Sequence, residues 1–318
     1  MQKTSSWQRS FLIVTAFFAV YFIWGATYLA NKWAVAEVDP FLLAGLRFTL
    51  AGGLMLLLAW LVYPVKITPR QWRHVAFAGL LLFVVGNGGL VWVLQYLDSG
   101  LTALFVSFEP ILVIALQRVM QRKTPHWLTL LGIASGVVGM FLLAGQPSFY
   151  LNPMALIALV VIFLSIGSWA YISIWLPSSD RPPTHFHSAA VQMLTGGLLL
   201  IIIAAINGSL WTTSLRSLSP ITWGSFVFLV FGGSIIAFTS FNYLLSEVST
   251  EKVVTNAYVN PVVALFLGWW LNQEVISPQA FTATLFLLGG VFLIHQKSSQ
   301  TLPKDLIKKQ TSRRRSAK

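Results

Sequence analysis

Ten apolar stretches of about twenty residues, joined by short polar connections, decide what this chain can fold into. They run over residues 11–34, 40–62, 72–95, 100–119, 126–145, 152–176, 184–206, 220–245, 250–271 and 278–296. A helix rises about 1.5 Å per residue, so each stretch can cross a hydrocarbon core about 30 Å thick. Charged residues make up 9% of the 318 residues, against about 25% in soluble domains. Such a chain lacks the polar surface for water, and an all-α membrane protein of ten transmembrane helices is expected. The first stretch is longer than the roughly 7–15 apolar residues of a signal-peptide core, so it reads as a retained helix. Cysteine is absent, which removes disulfides and thiolate metal sites.

Lys and Arg placement predicts the orientation, because positive loops stay in the cytoplasm. With the N-terminus inside, nearly all of the 21 Lys and Arg fall on cytoplasmic segments. The outer connections hold Lys32 and Arg216, and Arg47 lies within the second stretch. Both termini are then cytoplasmic. The tail over residues 297–318 carries "KKQTSRRRSAK". After a membrane helix, such a cluster points to anionic lipid headgroups as its partner rather than nucleic acid.

The two halves of the chain echo each other. Trp72 matches Trp223, Leu94 matches Leu245, and Pro110 matches Pro261, all 151 residues apart. Earlier, Gly25 pairs with Gly167 and Trp33 with Trp175, 142 residues apart. Five helices is an odd number, so a second copy enters the membrane from the opposite side. Inverted repeats suit secondary transporters, whose related halves open a midplane site to either side in turn. Duplication kept only for packing is the alternative.

The segments "YFIWGATYLANKWAV", "GLRFTLAGG", "VVGNGGLVW" and "AYVNPVVALFLGWWLNQEVIS" strongly resemble the drug/metabolite transporter superfamily, and within it the EamA-like exporters of the YedA type. The resemblance covers residues 11–296: repeat 1 over 11–145, repeat 2 over 152–296, with the basic tail outside it. It implies two inverted five-helix EamA repeats and export of small metabolites or toxic compounds across the bacterial inner membrane. It also implies a central cavity surrounded by helices 1, 3, 4, 6, 8 and 9.

Ionisable residues deep in a spanning helix are costly and by default functional. Arg47 and Glu109 are the two deep ones, at depths that differ by about 3 Å when counted at 1.5 Å per residue from the outer helix ends. Asn87 shares their layer. A charge pair is the simplest way for both ions to survive there. Glu109 precedes Pro110, which lacks an N–H and frees the carbonyl of Val106. Asn260 precedes Pro261, which does the same for Ala257. Two polar helix kinks near the midplane are therefore expected, one from each half. Asn256, Tyr258 and Asn260 read as one polar stretch, and Trp24, Tyr28, Trp92, Trp169 and Tyr171 as cavity aromatics able to stack on flat or cationic solutes. Packing is the competing reading for each. "GIASG", Gly132 to Gly136, reads as a close helix contact.

No catalytic, metal or cofactor set is legible. The histidines, "HFH" at His185 and His187 included, lie near predicted helix ends, and no phosphate-binding glycine loop is present. The leading function is secondary export of small metabolites, amino-acid-like solutes or drugs. A membrane-embedded enzyme acting on lipid, or a non-transporting receptor or assembly subunit, is the alternative.

Overall fold

The computed structural model describes residues 6–97, 99–122, 124–143, 153–272 and 278–296. The basic tail and the ends of several expected stretches, including residues 144–145 and 152, lie outside the described residues. All regular structure among the described residues is helical. The helices are α1 (Trp7–Val35), α2 (Pro40–Val62), α3 (Pro69–Val93), α5 (Trp127–Leu143), α6 (Pro153–Trp175), α7 (His185–Ile206), α8 (Pro220–Glu247) and α10 (Pro278–Gln296). Two more are built of two pieces each. They are α4 (Ser99–Val106 and Glu109–Gln121) and α9 (Thr250–Val253 and Asn256–Asn272). Among the described residues, seven helices are long and apolar enough to cross a membrane. Large apolar side chains such as Leu57, Ile202 and Phe231 cover their outer faces.

Helix starts follow local chemistry. Asp39 caps α2 by accepting from the amides of Phe41 (2.9 Å) and Leu42 (3.0 Å), with Pro40 at the first turn. Thr68 and Gln71 form a reciprocal capping box ahead of Pro69 in α3, and Ser219 caps α8 ahead of Pro220. Proline fits there because the first-turn N–H has no helical acceptor anyway.

Glu37, in the exposed α1–α2 connection, ties that loop to α8 by accepting from the Ser219 amide at 2.8 Å. Hydrogen bonding by Ser219 holds its carboxyl below the usual range. A depressed folded-state pKa stabilises above the unfolded value and stops doing so as pH falls through the folded one. The tie therefore loosens as pH falls through that depressed carboxyl value, below the ordinary glutamate range. Thermal unfolding followed from pH 6 downward is expected to show an acid decline that Glu37→Gln blunts; identical profiles would contradict this.

Close packing comes from small residues. A Cβ on Gly52 of α2 would come within 2.5 Å of the Leu194 amide nitrogen of α7. In α5 and α10, a Cβ on Gly132 would meet the Gly290 carbonyl oxygen at 2.7 Å, and one on Gly290 the Gly132 oxygen at 2.6 Å. The "GIASG" segment thus makes a backbone-to-backbone contact. Gly132→Leu is expected to lower stability by about 1–3 kcal/mol or more, since neither backbone can yield. An unchanged melting temperature of the purified protein would refute it.

Helices α1, α3 and α8 each contain π-helical turns, at Ala19–Ile23, Leu80–Gly88 and Leu229–Ala237. Such turns leave carbonyls available to side chains, and neighbouring helices use them. Ser165 Oγ of α6 donates to the Val85 carbonyl (2.9 Å), and Ser168 Oγ to that of Leu81 (3.0 Å). Trp24 Nε1 of α1 donates to the Gly233 carbonyl of α8 (2.9 Å). With its amide nitrogen turned toward acceptors, Asn260 of α9 donates to the carbonyls of Val20 (3.2 Å) and Tyr21 (2.9 Å). These bonds bind α1 to α8 and α9, and α6 to α3.

Candidate substrate cavity

A cavity of about 90 Å³ lies between α1, α2, α3, α4, α6, α8 and α9. That is several times the roughly 10–15 Å³ needed by the centre of one water molecule. The six helices implied by the resemblance line it, and α2 joins them through Arg47 and Phe48. On α1 the lining residues are Trp24, Thr27, Tyr28 and Asn31, and on α3 they include Asn87, Leu90, Val91 and Leu94. Both sets have the i, i+3, i+4, i+7 spacing of one helix face.

Expected site residues separate by that geometry. Trp24, Tyr28, Asn87, Glu109, Trp169, Asn256 and Asn260 line the cavity. Trp92, Tyr171 and Tyr258 do not. Trp92 follows lining residue Val91 by one position, about 100° around the helix, and packs on Tyr96 with ring centroids 4.7 Å apart. Tyr171 stacks on Trp175 at 6.5 Å. Tyr258 lies between Asn256 and Asn260 in sequence, but two residues of helix turn it to the opposite face. It is fully buried beside Gly136, Leu287 and Ile294. The polar stretch of α9 is thus two faces, not one.

The expected charge pair is not formed. Arg47 takes part in no ion pair within 4.0 Å among the described residues. Its Nε donates to Ser234 Oγ of α8 (3.1 Å) and its Nη1 to Asn31 Oδ1 of α1 (3.1 Å), with the guanidinium 4.2 Å from the Phe48 ring centre. Equal depth in the membrane says nothing about direction around a helix, and the arginine points to α1 and α8. Glu109 is 5% exposed, and its Oε1 has no hydrogen-bond partner. Asn256 Oδ1 and Thr102 Oγ1, which also line the cavity, have none either.

The two prolines act differently. α4 stops at Val106 and restarts at Glu109, with Pro110 in the first turn of the new piece. Glu109 therefore sits at a helix N-terminus, where a carboxylate is favoured. Pro261 is inside the continuous piece Asn256–Asn272, and α9 is interrupted earlier, at Val254–Thr255. The helix runs through Pro261 without interruption. The carbonyl it frees, that of Ala257, accepts instead from Ser107 Oγ at 2.8 Å, in the gap of α4. Ser107 was not singled out from the sequence; a hydroxyl two residues before the Glu-Pro step is its signal.

Toward the end of α1 that begins the chain, the cavity wall is built of packed aromatic rings. Trp24 meets Trp169 edge-on at 5.5 Å, Trp169 meets Phe241 at 5.3 Å, and Phe83 meets Phe238 at 4.8 Å. Further along, Tyr21 OH bonds Thr255 Oγ1 (2.7 Å) and Arg9 Nε pairs with Glu247 Oε2 (2.8 Å). In the other direction the lining continues to Leu94 and Thr102, beside the α3–α4 connection.

The sequence profile of the EamA-like transporter family matches residues 11–145 and again 152–296. The chain belongs to this family. It is 36% identical over 282 residues to the inner membrane transporter YedA of Escherichia coli (strain K12), covering 88% of this chain and 89% of that protein. Another relative is the transporter YoaV of Bacillus subtilis (strain 168), 22% identical, with 88% of this chain and 96% of YoaV covered. A solved crystal structure has the same fold, with a TM-score of 0.70 at 18% identity, covering 88% of this chain and 95% of that one. In this EamA protein the two matched copies meet at the cavity, through the Ser107–Ala257 bond and the Trp24–Trp169 contact.

Proposed function

We propose that this EamA protein is a secondary transporter that exports small metabolites, amino-acid-like solutes or drugs across the bacterial inner membrane by alternating access. One observation carries the reading: a buried arginine and a buried glutamate line one cavity without pairing, and the arginine lies in a helix long and apolar enough to span a membrane. Two buried ionisable groups left without a charge partner are costly to keep for packing alone, since each bears a desolvation penalty of several kcal/mol when charged. Their value is to hold a small solute, Glu109 taking its cationic group.

Ten spans in two inverted five-helix repeats fit this role. Partners by repeat order sit in like places: α2 packs on α7 and α5 on α10 at the periphery, while α1/α6, α3/α8 and α4/α9 surround the cavity. The relatives' names as transporters favour transport over lipid chemistry or a receptor role. With both termini cytoplasmic, this form faces outward, and the tail contacts anionic headgroups.

Purified protein in proteoliposomes, screened against small amines, amino acids and cationic drugs with and without a pH gradient, tests the reading. Saturable uptake of at least one class is expected. Uptake no greater than that of protein-free vesicles across the screen would refute it.

A further inference from the structure

Arg47 is 3% exposed, Ser234 0% and Asn31 7%, and the arginine's two hydrogen bonds go to neutral oxygens. Each oxygen is itself aimed. Ser234 Oγ donates to the Leu229 carbonyl at 2.9 Å, a bond five residues back that the π-helical turn of α8 permits. Its lone pairs are thereby left to Arg47 Nε. Asn31 Nδ2 donates to the Thr27 carbonyl at 2.8 Å, which fixes the amide with Oδ1 toward Arg47 Nη1. The guanidinium is thus held by both neighbours and by the Phe48 ring, yet keeps its full charge.

A guanidinium has five N–H donors, of which these contacts use two. The others form the fork that matches a carboxylate in bidentate fashion. A buried arginine that served only packing would be matched to an acid of the protein, because an unpaired buried charge is expensive. Here the chain supplies orientation without neutralisation, beside a cavity.

From this arrangement we infer that Arg47 is a carboxylate-binding subsite of the transported solute, and that Asn31 and Ser234 are its positioning residues, neutral so that the cargo supplies the anion. The inference rests on the proposed transport reading. It assigns the two ions to opposite ends of one zwitterionic solute rather than to each other. Arg47 takes the carboxylate and Glu109 the ammonium. A neutral acceptor at residue 31 is then the specificity determinant, since an acid there would compete with the cargo for the same guanidinium.

Calorimetric titration of the purified full chain with matched pairs tests this: alanine, leucine and phenylalanine, each against its carboxamide. Each amide keeps the ammonium and side chain and loses only the carboxylate. At least one acid is expected to bind about tenfold or more tighter than its amide. In Asn31→Asp, nearly isosteric, that acid loses about tenfold or more relative to its amide. Ser234→Ala weakens the acid more than the amide. Equal binding of acid and amide by the unmodified protein overturns the inference, as does an equal loss for both in Asn31→Asp. If the unmodified protein binds neither member of any pair yet transports another solute class in the vesicle screen, the inference alone fails. If it neither binds nor transports, the transport reading fails with it.

Discussion

Glu109→Gln is expected to abolish most transport and to leave the protein folded. The carboxylate has no protein partner on Oε1, and Arg47 is satisfied by Ser234 and Asn31. Removing it therefore orphans no cation. Breaking a true buried ion pair costs about 3–5 kcal/mol, and that loss is not expected here. The melting temperature should stay level or rise, because a buried charge is gone. Transport falls because a charge-assisted contact to cargo is lost. Such a contact contributes about 1.5–3 kcal/mol, or roughly 10–150-fold in affinity. Arg47→Gln and the double variant complete the cycle: stability effects should add within about 0.5 kcal/mol. A coupling near 3 kcal/mol would mean that the two ions pair after all.

Trp169→Ala has the largest expected effect on stability. Its ring touches Trp24, Phe238 and Phe241, and it lies so close to Gly86 that a Cβ there would come within 2.5 Å of Nε1. Truncating a fully buried tryptophan costs about 3–5 kcal/mol, and the partly buried Trp169 is expected to lose the lower part of that range. It also removes the plate that closes the cavity toward Tyr21 and Thr255. Reconstituted Trp169→Ala should melt well below the unmodified protein and let preloaded solute leak without counter-flow. A tight vesicle with an unchanged melting temperature would show that Trp169 is not part of the seal.

Much of this was legible because it is local. Asp39-Pro40, Thr68-Pro69 and Ser219-Pro220 announce helix starts, and apolar length announces spans. The face of α1 was readable in part: Trp24 and Tyr28 were picked out, but Thr27 and Asn31, one helical turn along on the same face, were not. Direction between helices was not readable. Arg47 finds Ser234, 187 residues away, through a π-helical turn that apolar sequence does not encode visibly. The same turns change which residues share a face. Proline chemistry was readable locally, since the Ala257 carbonyl is freed by Pro261, but its partner Ser107, 150 residues away across the bundle, was not.

The central claim is that one cavity opens to the two membrane faces in turn. The cysteine-free chain allows single cysteines at Leu94, a partly exposed lining residue beside the α3–α4 connection, and at the fully buried Thr255, in the Tyr21 seal, to be labelled from either side with an impermeant thiol reagent. Without solute, Leu94→Cys should label from the outer face while Thr255→Cys stays protected. With transported solute on both sides, Thr255→Cys should gain labelling from the cytoplasmic face while Leu94→Cys loses it. Labelling of Thr255→Cys that never changes, or both positions open to the same side at once, would contradict alternating access through this cavity.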